Sequence, residues 1–186
     1  GFLASMFYNG TDGDAGGTDL TLPLRLIKFD SLFNIEWEKA FGGTNGYSNS
    51  IKILNLADGY LVVAFSNATN GDFEGNHGGR DFALLKIDFE GNKIWAKCYG
   101  GPGEDYIGGA MVTDDNHYLI TGSASFAGGD IPFHYGDGFF PDAVIMKIDT
   151  SGEIVWVKNY GGTIADGPIG DPVLVYPGIY QIHLFS

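Results

Sequence analysis

Closely spaced Asp and Asn side chains recur on three glycine-rich stretches: NGTDGDAGGTD (9–19), NATNGDFEGNHGGRD (67–81) and SFAGGDIPFHYGDGFFPD (125–142). Carboxylate and amide oxygens on turns whose glycines let backbone carbonyls converge are what a hard cation such as Ca²⁺ requires, since it takes about six to eight oxygens. The candidates are Asp12, Asp14 and Asp19, then Asn70, Asp72 and Asp81, then Asp130, Asp137 and Asp142. Asp72 leads, because Asp14, Asp72 and Asp130 occupy one equivalent position, and Asn70 and Asp81 complete the best set. The spacing is not that of an EF-hand, and Pro23 stands where Asp81 is expected in the first stretch. The competing reading is that these side chains hydrogen-bond to turn backbone.

The third stretch also carries Phe133, Tyr135, Phe139 and Phe140. Its Asp130–Asp142 segment is three residues longer than Asp72–Asp81 and is expected to protrude. Exposed aromatic rings at such density would mark a contact surface. Rings tucked against a neighbouring element would instead enlarge the core.

Other chemistry is sparse. His77, His117, His134 and His183 show no H-x-x-x-H spacing, so no zinc site is expected. There is no G-x-S-x-G, and no carboxylate pair emerges from the sequence. Cys98 is the only cysteine, and Ala40 and Asn159 at its equivalent positions argue against a shared catalytic role. The Gly-Gly pairs at 42–43, 100–101 and 161–162 lack the lysine of a phosphate loop. Asp30, Asp88 and Asp149 open tight turns, and Asp105 and Asp166 follow two of the Gly-Gly pairs, so all five are expected to brace turns.

These residues are positioned by an internal repeat. The three tryptophans, Trp37, Trp95 and Trp156, share one frame: FDSLFNIEWEKAFGG (29–43), IDFEGNKIWAKCYGG (87–101) and IDTSGEIVWVKNYGG (148–162), spaced by 58 and then 61 residues. Upstream, GFLASMFYNGTDGD (1–14), GYLVVAFSNATNGD (59–72) and HYLITGSASFAGGD (117–130) align at the constant offset of 58. The first copy departs by having Leu32–Phe33 where the others have Glu90–Gly91 and Ser151–Gly152.

Each period reads as four strands: A near Ser50–Leu56, B at Tyr60–Ser66, C at Phe82–Ile87 and D at Lys93–Tyr99. Strands B and C are apolar on both faces, as in sheets packed on both sides. No sustained helical period occurs. A period of about sixty residues per four-stranded unit predicts an all-β fold of β-propeller-like antiparallel blades. The blades are 44–101 and 102–162, with partial blades at 1–43 and 163–186. Residues 178–186 repeat the strand already supplied by 1–9, so the chain is expected to be an open fragment of a larger propeller. The tryptophans are expected to pack blade on blade.

The pattern G-Y-L-V-V-A…D-x-x-L-L-K-I-D-x-x-G-N-x-I-W-x-K-x-Y-G-G of residues 59–101 resembles the tandem propeller-type repeats of large secreted and cell-surface proteins. Such repeats are common in Bacteroidetes-type bacteria and occur in some archaea. The resemblance implies a secreted or surface setting and a role in adhesion or display. It implies no catalytic residues.

The formal net charge of −13 makes nucleic acid and anionic membranes poor partners. No apolar run approaches the ~20 residues of a membrane-spanning helix. The first functional reading is a non-enzymatic scaffold or binding module whose loops meet a protein or glycan at the cell surface, alongside the remaining blades of a longer parent chain. The alternatives are a polysaccharide-acting hydrolase or lyase and a carbohydrate-binding lectin using the tryptophans.

Overall fold

The structure, a computed structural model, describes residues 1–6, 24–43, 48–136 and 138–186. All secondary structure among them is β. Fifteen strands run in chain order: β1 Phe2–Met6, β2 Leu24–Phe29, β3 Ile35–Phe41, β4 Ser48–Leu56, β5 Gly59–Ser66, β6 Asp81–Ile87, β7 Lys93–Tyr99, β8 Asp105–Val112, β9 Tyr118–Ala124, β10 Asp142–Ile148, β11 Ile154–Tyr160, β12 Gly167–Pro168, β13 Val173–Tyr176, β14 Ile179–Gln181 and β15 Leu184–Phe185. The expected strands agree with β4 to β7 to within two residues at each end.

Two of the sheets are complete four-stranded antiparallel meanders, β4-β5-β6-β7 and β8-β9-β10-β11. The three-stranded sheet β1-β2-β3 corresponds to strands B, C and D of the repeat. The pairs β13-β14 and β12-β15 form a last antiparallel hairpin corresponding to strands A and B. Strand B is therefore present at both ends, as the repeat register requires.

The two-faced apolar character of the middle strands has a direct cause. On the β4–β7 sheet, Val62, Ala64, Ala83 and Leu85 point to Leu24, Leu26 and Phe41 of the first sheet. Their alternates Leu61, Val63, Phe82 and Leu84 point to Tyr118, Ile120, Val144 and Met146 of the third. Because successive strand residues face opposite ways, an apolar run with no alternation is what a sheet between two others needs. Leu84→Ala or Leu85→Ala would empty a fully buried site, at about 2–5 kcal/mol.

The turn between strands C and D is built identically three times. Asp30, Asp88 and Asp149 each use Oδ1 to accept the backbone N–H groups two and four residues on: Leu32 and Asn34, Glu90 and Asn92, Ser151 and Glu153, all at 2.7–3.0 Å. The Asn34 and Asn92 side-chain amides, which donate to Asp30 and Asp88 Oδ2 at 2.8 and 2.9 Å, and then the backbone donors (led at Asp149 by the Glu153 N–H) favour the ionised form and hold all three carboxyls below their ordinary value. One residue before each tryptophan the strand C–D pairing slips by a β-bulge, at the same place in all three copies. A bulge re-aims the side chains beyond it, here a tryptophan.

The first two of these tryptophans meet the next sheet. Trp37 Nε1 donates to the Phe89 carbonyl at 3.0 Å, and Trp95 Nε1 donates to the equivalent Thr150 carbonyl at 3.1 Å. The tryptophans of the first two copies are thus sheet-to-sheet packing residues. Ligand stacking by these indoles finds no support.

Candidate functional site

The glycine-rich loops that follow β5 and β9 and the Gly-Gly pairs lie at one end of the sheets. There the aspartate shared by the repeats has a specific partner. The Asp72 backbone N–H donates to the Gly42 carbonyl at 2.9 Å, while its carboxylate accepts the Gly42 N–H at 3.1 Å. Asp130 does the same to Gly100, at 2.8 Å and 3.3 Å. Each is a latch from one sheet's loop onto the last backbone groups of the preceding sheet. Gly71 and Gly129, at positive φ, bring the loop so close that a Cβ on either would run into the carbonyl of Gly42 or Gly100.

Of the residues offered as cation ligands, Asp81 and Asp130 come together, on opposite nitrogens of His77. Asp81 Oδ2 lies 3.0 Å from Nδ1 and Asp130 Oδ2 lies 3.7 Å from Nε2. Asp72 is one junction away, ion-paired at 2.7 Å with Lys93. Asn70 lies against Gly43, where a Cβ would meet its carbonyl and amide oxygens. Asp14, Asp12, Asp19 and Asp137 fall outside the described residues. No group of three or more His, Cys, Asp or Glu side chains that could hold a metal ion occurs among the described residues.

A carboxyl pair that sequence reasoning missed sits beneath these loops. Asp81 opens β6 in one sheet and Asp105 opens β8 in the next, and both are fully buried. They converge on Gly100, where a Cβ would collide with Asp105 Oδ2 and lie 3.1 Å from Asp81 Oδ1. Asp105 Oδ2 accepts the Gly101 N–H at 2.8 Å, and Asp81 Oδ2 accepts the His77 N–H at 2.8 Å. The Oδ1 atom of each is buried with no partner. Desolvation, and then the neighbouring Asp81 charge, pushes the Asp105 carboxyl up to about 8, and desolvation also raises Asp81. The next junction repeats the arrangement: Asp166 accepts the Gly162 N–H at 2.9 Å, and Asp142 is buried with its Oδ1 unpartnered. The signal was present in the repeat. In the first copy Pro23 replaces the Asp81 position and Tyr47 replaces the Asp105 position, so the two aspartates come and go together.

The Asp81–His77 contact has the form that orients an imidazole for proton transfer, but its far nitrogen faces another carboxylate. No hydroxyl or thiol nucleophile is paired with it among the described residues. Cys98, which lines the same cleft of about 440 Å³ with Glu74, Lys97 and Glu153, is buried. Desolvation pushes its thiol up to about 12, keeping it protonated and unreactive.

The outer layer is aromatic. Phe133, Tyr135, Phe139 and Phe140 are all exposed, from 42% for Tyr135 and Phe140 to 80% for Phe139. They form two edge-to-face pairs, Phe133–Tyr135 at 4.7 Å and Phe139–Phe140 at 5.0 Å between ring centroids. Phe126 and Phe139 line a shallow cleft with Pro102 and Glu104. Beside it, the Arg80 guanidinium lies 4.5 Å from the Tyr106 ring centroid and is ion-paired with Glu104. The loop that supports these rings is tied down from below, since the Asp142 carboxylate accepts the Tyr135 N–H and His134 Nε2 lies 3.1 Å from the Phe140 carbonyl.

Comparison with protein-family models and with curated proteins gives no match to this chain. The functional reading therefore rests on the repeat and on this geometry.

Proposed function

We propose that the chain is a run of propeller-type blades from a secreted or cell-surface protein and acts as a non-enzymatic binding module. The recognition surface is the loop of residues 130–142. The observation that carries this reading is the exposure of four aromatic rings, in two edge-to-face pairs, on a loop held by buried Asp142 through the Tyr135 N–H. Rigid exposed rings offer large contact area at low entropic cost, which is how interface anchors work. Three of the four rings are Phe, without a polar handle, and this favours an apolar protein surface over a glycan.

The aspartates support the same reading by being spent elsewhere. Asp72 and Asp130 latch sheets, and Asp81 and Asp105 are sealed from solvent. A polysaccharide hydrolase or lyase needs carboxyls that a sugar can reach. A tryptophan-based lectin is disfavoured because the Trp37 and Trp95 indole N–H groups are already donated to protein carbonyls.

The test is a combined Phe133→Ala, Tyr135→Ala, Phe139→Ala, Phe140→Ala variant, compared with the unaltered chain on arrays of surface proteins and of polysaccharides. The expected result is retention on a protein target that the variant loses while its Tm is kept. Retention that survives the four substitutions overturns the loop as the recognition surface.

A further inference from the structure

The outer face of the β8–β11 sheet carries a set of groups that its counterpart spends on a neighbouring sheet. On the β4–β7 sheet the C–D turn of the following sheet is held by three donors. Trp95 Nε1 donates to the Thr150 carbonyl at 3.1 Å, Lys97 Nζ to the Gly152 carbonyl at 3.2 Å, and Tyr99 Oη to the same carbonyl at 2.8 Å. Lys97 is also ion-paired with Glu153. The apolar floor beneath is Leu61 and Leu84, both fully buried.

Each of these residues has an equivalent one repeat later: Trp156, Lys158 and Tyr160, over Leu119 and Ile145. Here none of the three donors has a partner among the described residues. Tyr160 is 49% exposed where Tyr99 is 3% exposed. The β13–β14 hairpin covers one side of this face through Ile179 and Tyr180, and an open cleft of about 740 Å³ remains. That hairpin supplies the A and B strands of a repeat, and the uncovered part is where strands C and D lie on the preceding sheet.

The geometry points to this cleft as a socket for the C–D hairpin of a further sheet of the same repeat, entered by its Asp-x-x-Gly turn. The inference rests on the propeller-repeat reading but is independent of the aromatic loop. The occupant is specified by fit. The glycine of the turn lies under the tryptophan: a Cβ on Gly91 would stand 3.1 Å from the Trp37 ring, and one on Gly152 would stand 3.2 Å from the Trp95 ring. A glycine there leaves the indole its room, whereas a side chain would take a left-handed backbone and push the ring back by a few tenths of an ångström. A second copy of this chain does not qualify, because its exposed turn has Phe33 there, at φ 64 and stacked on Phe2 at 4.8 Å.

The experiment appends a second copy of residues 68–101 after Ser186 and follows the Trp156 indole N–H by NMR, assigned by its loss in Trp156→Phe. Docking is expected to slow exchange of that proton about tenfold or more relative to the chain without the extension. The same extension with its turn glycine changed to Phe, copying Phe33, is expected to leave exchange fast. Equal protection by both extensions, or none by either in a folded protein, overturns the socket. Concentration-dependent protection in the unextended chain overturns the exclusion of a second copy. Loss of binding in the aromatic-loop variant alters neither readout, so the two readings fail separately.

Discussion

Asp105 and Asp81 belong to different sheets, yet both carboxyl groups turn onto Gly100, each with one buried oxygen that no protein donor reaches. With no donor to meet it, each buried oxygen favours the protonated form of its carboxyl, so stability depends on pH. Asp105 titrates near 8 in the folded chain against 3.8 for the ordinary group. Between these values the folded state holds a proton that the unfolded state has released. Stability is therefore highest in mild acid and falls as pH rises from about 4 to about 8. At about 1.4 kcal/mol per pKa unit the loss is on the order of several kcal/mol. The other groups facing the pair are His77 and Asp130 on the Asp81 side and the Arg80–Glu104 ion pair on the Asp105 side. Denaturation midpoints measured from pH 5 to 9 should decline in the unaltered chain and flatten in Asp105→Asn. An unchanged slope in Asp105→Asn rules out Asp105 as the group responsible.

The latch predicts a different cost. Asp72→Ala leaves the Gly42 N–H without its charged acceptor and frees Lys93. A hydrogen bond to a charged group is worth about 1.5–3 kcal/mol, and the partly exposed ion pair adds at most about 1. Thermal unfolding should show a fall in Tm of roughly 5 °C. Asp72→Asn, which keeps an acceptor oxygen, should recover most of it. A full loss in Asn would mean that the charge pairing with Lys93 matters more than the latch.

Two glycines separate backbone strain from collision. Gly152 has φ 82, and a Cβ there would lie 3.2 Å from both the Trp95 ring and the Tyr99 hydroxyl. Gly170 has φ 73 and open space around it. Gly170→Ala should cost about 1–2 kcal/mol from the left-handed conformation alone. Gly152→Ala should cost more and shift Trp95 fluorescence to the red. Equal costs would show that the indole yields.

Calcium distinguishes the two readings of the loop aspartates. Asp72, Asp81 and Asp130 each already accept protein donors, so adding Ca²⁺ to chelator-treated protein is expected to leave Tm unchanged. A calcium-dependent rise, which binding to the folded state would produce by mass action, would overturn the reading that these aspartates only brace backbone.

The sequence by itself determined the strands and their order. The register of Trp37, Trp95 and Trp156 and the unbroken apolar runs of strands B and C are local signals, and β4 to β7 follow them closely. The turn-bracing role of Asp30, Asp88 and Asp149 was equally legible, because an aspartate bonding its own backbone two and four residues on is a local event. What the loop aspartates hold was not legible. Asp72 and Gly42 are joined across two sheets, and the pairing of Asp81 with Asp105 exists only once β6 of one sheet and β8 of the next are stacked. Exposure of Phe139 against burial of Phe82 was likewise a tertiary outcome. Both are phenylalanines in strand-rich surroundings, and only the presence or absence of a neighbouring sheet decides which of them meets water.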